Sequence, residues 1–193
     1  MANENLREIL ESVRAGEHDI KQAGTIIDPT DLATLVFAHV DLQRQRRCGF
    51  PEVIFCQGKT SEWVAGVVAK LVEAGQDCLA TRVNDEQASY LEQQFPHSEQ
   101  DRVARTFWLP NTQQKKEIKG RIVVLTAGTS DLPVAQEAVV TAKAMGCDVS
   151  LYVDVGVAGI HRVLRYREEY AKADVVVVVA GMDGALPSVV GGL

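Results

Sequence analysis

Apolar positions along this chain come in short runs with two spacings. Residues 3–15 place Leu6, Ile9, Leu10 and Val13 on one stripe, which predicts an amphipathic helix. Asp28-Pro29-Thr30-Asp31 reads as a turn and cap before a short apolar segment that ends near His39. Pro51-Glu52-Val53-Ile54-Phe55-Cys56 predicts a strand, and Gly58-Lys59-Thr60 leads into a helix from about Ser61 to Ala74. A strand at Asp77–Thr81, a helix at Asp85–Phe95 and a third strand near Val103–Leu109 complete a small βαβαβ unit.

Residues 110–120, "PNTQQKKEIKG", are polar and aperiodic, so they read as a linker. Beyond it the pattern restarts: strand 121–125, helix 132–145 closed by Gly146, strand 148–153, helix about 159–172 and strand 175–180. Val175 to Val179 are consecutive valines, the mark of a parallel strand covered on both faces. The expected fold is α/β, with a small N-terminal βαβ-type domain over 1–110 and a linker over 111–120. Residues 121–193 are then a doubly wound parallel-sheet, flavodoxin-like domain. It reads as incomplete at its C-terminus, because only a Gly-rich loop and the first residues of a helix follow Ala180.

Composition narrows the classes. The net charge of −6 argues against a general nucleic-acid binder, since the only basic cluster is Arg44-Gln45-Arg46-Arg47. No signal-like start is present, and no apolar run approaches the roughly 18–20 residues of a membrane span, so a cytoplasmic protein without a membrane partner is expected. Cys48, Cys56, Cys78 and Cys147 lack CxxC spacing and read as reduced thiols, not zinc ligands or disulfides.

In an open parallel sheet the ligand crevice lies at the carboxyl ends of the strands. Three loops fall there: Gly128-Thr129-Ser130-Asp131, Asp154 through His161, and Gly181-Met182-Asp183-Gly184. Each is rich in glycine, which lets a backbone approach a ligand closely. The first loop has two readings. Ser130 or Asp131 caps the helix that Pro133 opens, or helix N–H groups with the Thr129 and Ser130 hydroxyls cradle a phosphate or carboxylate. Beside a phosphate, Asp131 would repel the ligand unless it holds Mg²⁺ or handles a proton. His161 sits at a helix start, Asp183 in a turn-like Gly-x-Asp-Gly, and Ser188 behind Pro187. Gln57-Gly58-Lys59-Thr60 resembles the end of a Walker A loop, but Val53 stands where that motif needs glycine. Lys59 remains a candidate phosphate contact, and Arg44 and Arg47 are either a solvated charge run or receivers of an anion.

"AGTSDLPVAQEA", "DVGVAGIHRVL" and "VVVAGMDGALPSVVGGL" together resemble the pyridinium-3,5-biscarboxylic acid mononucleotide synthase family of nickel-pincer cofactor biosynthesis. "DLQRQRRCGFPEVIFCQGKT" resembles it too, so the likeness runs over roughly residues 30–193. That family's catalytic domain is similar to the aminoimidazole ribonucleotide carboxylase/mutase of purine synthesis. The purine enzymes carry a catalytic His where this chain has Ala185. The resemblance implies carboxylation of the pyridinium ring of nicotinic acid adenine dinucleotide by CO₂ or bicarbonate with Mg²⁺, then phosphoanhydride hydrolysis to AMP. It implies Asp131 and Asp183 as proton carriers, Asp131 also as a metal ligand. Gly128, Thr129, Ser130, Gly159, His161, Gly181, Ser188, Lys59, Arg44 and Arg47 would bind substrate, in a homo-oligomer. Two departures follow. The family's catalytic cysteine lies in a segment beyond Leu193, and Asp183 stands where the family has Glu, so a catalytically incomplete chain is expected. A purine-type carboxylase and a non-catalytic nucleotide-binding module are the rival readings.

Overall fold

A computed structural model describes residues 2–20, 23, 32–111 and 117–193. Helix α1 spans Ala2–Arg14, as its stripe predicts, but Leu10 stays 54% exposed. The cap expected at Asp28–Asp31 lies outside the described residues. The short apolar segment after it is a hairpin, β1 (Leu32–Leu35) with β2 (Ala38–Asp41), followed by the one-turn helix α2 (Arg44–Cys48).

The first large sheet has the order β3-β4-β6-β5. Strands β3 (Val53–Phe55) and β4 (Cys78–Thr81) run parallel, joined by helix α3 (Ser61–Glu73). Helix α4 (Asp85–Gln94) then leads to a hairpin, β5 (Glu99–Asp101) and β6 (Thr106–Leu109). This corrects the βαβαβ expectation, because β6 pairs antiparallel with β4. The cause is local. The Asp101 carboxylate accepts the N–H groups of Val103 and Ala104, both at 2.8 Å, and folds the chain back where a single strand was expected. Val64, Val68, Leu71, Leu91 and Phe107 fill the core between these helices and the sheet.

The second sheet is parallel, in the order β8-β7-β9, with β7 (Arg121–Thr126) between β8 (Asp148–Tyr152) and β9 (Val175–Val179). Helix α5 (Leu132–Ala144) covers one face through Ala135 and Val139. On the other face Val163 of α6 (Ile160–Leu164), Tyr170 of α7 (Arg167–Tyr170) and Leu186 of α8 (Ala185–Gly191) pack on Val123 and Leu125. Helices on both faces of a parallel sheet are the expected doubly wound α/β arrangement. The helix expected over 159–172 is broken in two. The break falls at Tyr166, whose ring lies 4.3 Å from that of Tyr152, so packing rather than a Gly or Pro sets it. The valines of β9 are not fully covered either: Val175 is 51% exposed, and an apolar cavity of about 670 Å³ lies beside Val176 and Val178. Among the described residues β9 is an edge strand, which leaves it less burial than a central strand would have.

Arg82, just past the C-terminal end of β4, pairs with Glu137 in the middle of α5 at 2.9 Å. At the opposite end Lys119, just before β7, donates to the Gly49 carbonyl at 3.2 Å. A cleft of about 540 Å³ opens at that opposite end between Phe50, Asp77 and Met145. Among the described residues no helix is long and apolar enough to cross a membrane.

Candidate functional site

The loops after β7, β8 and β9 meet because β7 is central and its backbone is shared. The Ala127 N–H donates to the Val179 carbonyl at 2.9 Å, and the Val155 N–H to the Thr126 carbonyl at 2.9 Å. Thr126 is wholly buried, and its Oγ1 accepts the Asp154 N–H at 3.0 Å. The loops touch so closely that a Cβ on Gly156 would lie 2.5 Å from the Ala127 oxygen. Only glycine fits there.

Asp131 bridges this meeting point. Its Oδ2 accepts the Gly128 N–H at 2.9 Å and its Oδ1 accepts the Gly181 N–H at 2.8 Å. The carboxylate therefore ties the first loop to the third, across the crevice between β7 and β9. In a sheet of this order, that crevice is the topological switch point. The capping reading is met only at the single 3-10 turn before α5, where Asp131 accepts the N–H of Gly128 that opens the turn. Asp131 makes no side-chain bond to the start of α5, and the carboxylate itself occupies the Gly128 N–H that a cradle would offer to a ligand. The donor set also fits a protein-held Mg²⁺ poorly. Both Asp131 oxygens are engaged, and among the described residues no group of three acidic, His or Cys side chains converges on one point.

The other loop candidates surround this bridge without joining it. Asp183 is exposed in the third loop, in a left-handed conformation with φ of 57°. His161 is exposed in the first turn of α6, and Ser188 is exposed within α8. Gly159 lies so near Arg162 that a Cβ would meet its Nε at 2.9 Å. The first-unit candidates fall elsewhere. Lys59 donates Nζ to the Phe55 carbonyl at 2.5 Å, on the strand-end loop of β3. Arg44 lies 5.2 Å over the Phe50 ring, and Arg47 forks onto the Asp41 carboxylate at 3.2 and 2.5 Å. Hydrogen bonding to Arg47 holds that carboxyl below its usual range. Through Gly49 and Lys119 these arginines belong to the end of the molecule opposite the three loops.

Several residues that organise the site carry little sequence signal. Gln87, 2% exposed, donates Nε2 to the carbonyls of Cys56 at 3.0 Å and Lys59 at 2.7 Å. Its visible trace is the capping box that it makes with Asn84 at the start of α4. Asp154 pairs with Arg162 at 2.7 Å. Arg82 and Arg105 flank the end of β4 and belong to no sequence motif. The thiols are all free, and none lies in the three loops. Burial pushes Cys56 up to about 12 and Cys78 higher still.

Residues 32–111 match the family described as the LarB/PurE-like N-terminal domain. The chain is also 39% identical over 158 residues to Uncharacterized protein MJ0165 of Methanocaldococcus jannaschii. That similarity covers 78% of this chain and 62% of the relative, so the chain spans less than two thirds of the relative's length. The matched span ends where the linker begins, and the three loops lie beyond it.

Proposed function

We propose that this chain is part of an enzyme that carboxylates the pyridinium ring of nicotinic acid adenine dinucleotide and hydrolyses its phosphoanhydride. The products are pyridinium-3,5-biscarboxylic acid mononucleotide and AMP. One observation carries the reading: a LarB/PurE-like unit is followed by a parallel sheet whose switch-point crevice is closed by Asp131.

In this scheme a thiolate adds to the ring, and the ring electron pair attacks CO₂. A carboxylate takes the ring proton, and the thiolate leaves with its electron pair as the ring regains aromaticity. Asp183, exposed beside the crevice, is the proton acceptor, while Asp131 holds the loops in place. Cys56 and Cys78 are buried with raised pKa values, and Cys48 in α2 and Cys147 past α5 lie at the end away from the loops, so the nucleophile is a thiol other than these four. Among the described residues no group of three acidic, His or Cys side chains would hold Mg²⁺. A purine-type mutase needs a His where Ala185 stands, and alanine there carries no proton.

The test incubates this chain, beside a version extended to the next stop codon, with the dinucleotide, bicarbonate and Mg²⁺, reading products by mass spectrometry. The expected result is AMP and a doubly carboxylated mononucleotide from the extended protein alone. Intact dinucleotide in both reactions would remove the proposal.

A further inference from the structure

The first unit holds a cavity of about 420 Å³ that none of the candidate residues lines. It opens where α3, α4 and β6 end, with Val72, Phe95, Leu109 and Pro110 as its apolar wall and Gln76 and Gln94 among its polar groups. Leu109 pairs with Cys78 at the start of β4, so the cavity lies at the end of the sheet away from Arg82. Its size falls within the roughly 300–1,000 Å³ of small-molecule sites.

The hydrogen-bonding groups around it are one-sided. The Gly75 and Gln76 N–H groups donate to the Val72 and Leu71 carbonyls at 2.9 Å each, and the Phe95 N–H to the Leu91 carbonyl at 2.8 Å. The Asn111 N–H donates to Asp77 Oδ1 at 2.6 Å. Pro96 and Pro110 have no N–H to give. The side-chain amides spend their donors too: Asn111 Nδ2 donates to the Gly75 carbonyl and Gln76 Nε2 to the Leu42 carbonyl, both at 2.5 Å. Acceptors are left over. Gln76 Oε1 has no partner among the described residues. Pro96 stands where the Glu92 carbonyl would find its helical donor, and the Ser98 N–H turns back to the Phe95 carbonyl at 3.0 Å instead of reaching Gln94. An anion finds few donors at such a wall, whereas a molecule rich in N–H groups finds acceptors.

The charges agree. Both α3 and α4 end at the cavity, and helix C-termini carry partial negative charge. Helix α4 has no basic residue in its last turn, and Lys70 in the last turn of α3 is held by Glu73 at 2.6 Å. Among the described residues no Lys or Arg lines the cavity.

We propose that this cavity binds a small organic cation, an ammonium group carried on an apolar body. The apolar wall takes the body, and the unmatched acceptors at the helix ends take the N–H groups. The site shares no residue with the three loops, so it stands or falls apart from the carboxylation reading.

The test follows backbone amide resonances of the isotope-labelled 193-residue chain during titration with phenethylamine, and separately with its acid counterpart hydrocinnamate and with phenethyl alcohol. Phenethylamine should give saturable shifts at Gly75, His97 and Leu109 with a Kd at or below about 1 mM, the alcohol should bind about tenfold more weakly, and the acid should not bind. Val72→Lys and Gln94→Lys each place a competing ammonium at the rim. Both positions are exposed and lie in the last turn of a helix, where a cation is favoured, so the fold is kept while phenethylamine binding falls about tenfold or more. Gln94→Glu keeps or raises the affinity. No saturable shift at up to about 5 mM phenethylamine overturns the proposal. So do equal affinities for amine and acid, shifts confined to the three loops, or unchanged binding in both lysine variants. The comparison of amine with acid uses the wild type alone, so it decides the matter even where a lysine variant folds poorly.

Discussion

Asp131 shows how a residue can be legible as a type and not as a contact. Its charge behind Gly-Thr-Ser marked it in the sequence, yet its partner Gly181 is 50 residues away, and no local pattern links them. Removing the carboxylate leaves two loop N–H groups without their acceptor. Asp131→Ala should therefore lose about 1–3 kcal/mol of stability, with faster hydrogen exchange at Gly128 and Gly181. A variant as stable as wild type, with unchanged exchange at both amides, would show that the bridge does not hold the loops. The buried thiols give a second expectation. Folded Cys56 titrates near 12, while an unfolded thiol titrates at about 8.5. Between these values the unfolded chain sheds a proton that the folded chain keeps, so this contribution is fully present below about pH 8.5 and is lost as pH rises towards 12. Cys78, also raised, acts in the same direction. Urea midpoints measured from pH 7 to 10 should fall with pH, and a Cys56→Ala/Cys78→Ala protein should show a shallower fall.

At the scale of elements, hydrophobic spacing located most strands and helices because each unit buries a recognisable face. The errors fall where side chains override spacing. Asp101 turned one expected strand into a hairpin, and Tyr166 broke one expected helix against Tyr152. In the sequence Gln87 reads as one more polar residue of an amphipathic helix. Its amide nevertheless ties the start of α4 to the loop after β3, accepting the Asn84 N–H at 3.0 Å while donating to two carbonyls. Gln87→Leu keeps the size but strands these groups in a site that is 2% exposed. The expected loss is about 2–4 kcal/mol in chemical denaturation, against about 1 kcal/mol for Asn84→Ala, which removes only the cap. Equal effects of the two substitutions would mean that the loop does not depend on Gln87.

For the whole molecule, the restart of the pattern at Arg121 made two units legible, but not the way they meet. Their contact depends on Arg82, a left-handed residue that no turn motif announces, reaching Glu137 in the middle of α5. Arg82 is 40% exposed and Glu137 23%, so the pair itself contributes only about 0.2–1 kcal/mol. Its larger consequence is relative placement, since this contact and the Lys119–Gly49 contact tie the two units at two separate points. Charge reversal tests this directly. Arg82→Glu sets two carboxylates against each other, Glu137→Arg sets two guanidinium groups, and the double exchange restores an opposite pair. Both tryptophans, Trp63 and Trp108, belong to the first unit, so their fluorescence follows that unit while circular dichroism follows the whole chain. Each single reversal should separate the two unfolding transitions, and the double exchange should bring them back together. Transitions that stay where they are in the single variants, or stay apart in the double variant, would show that the units are held in register by the remaining packing of α5 on β4 and β6.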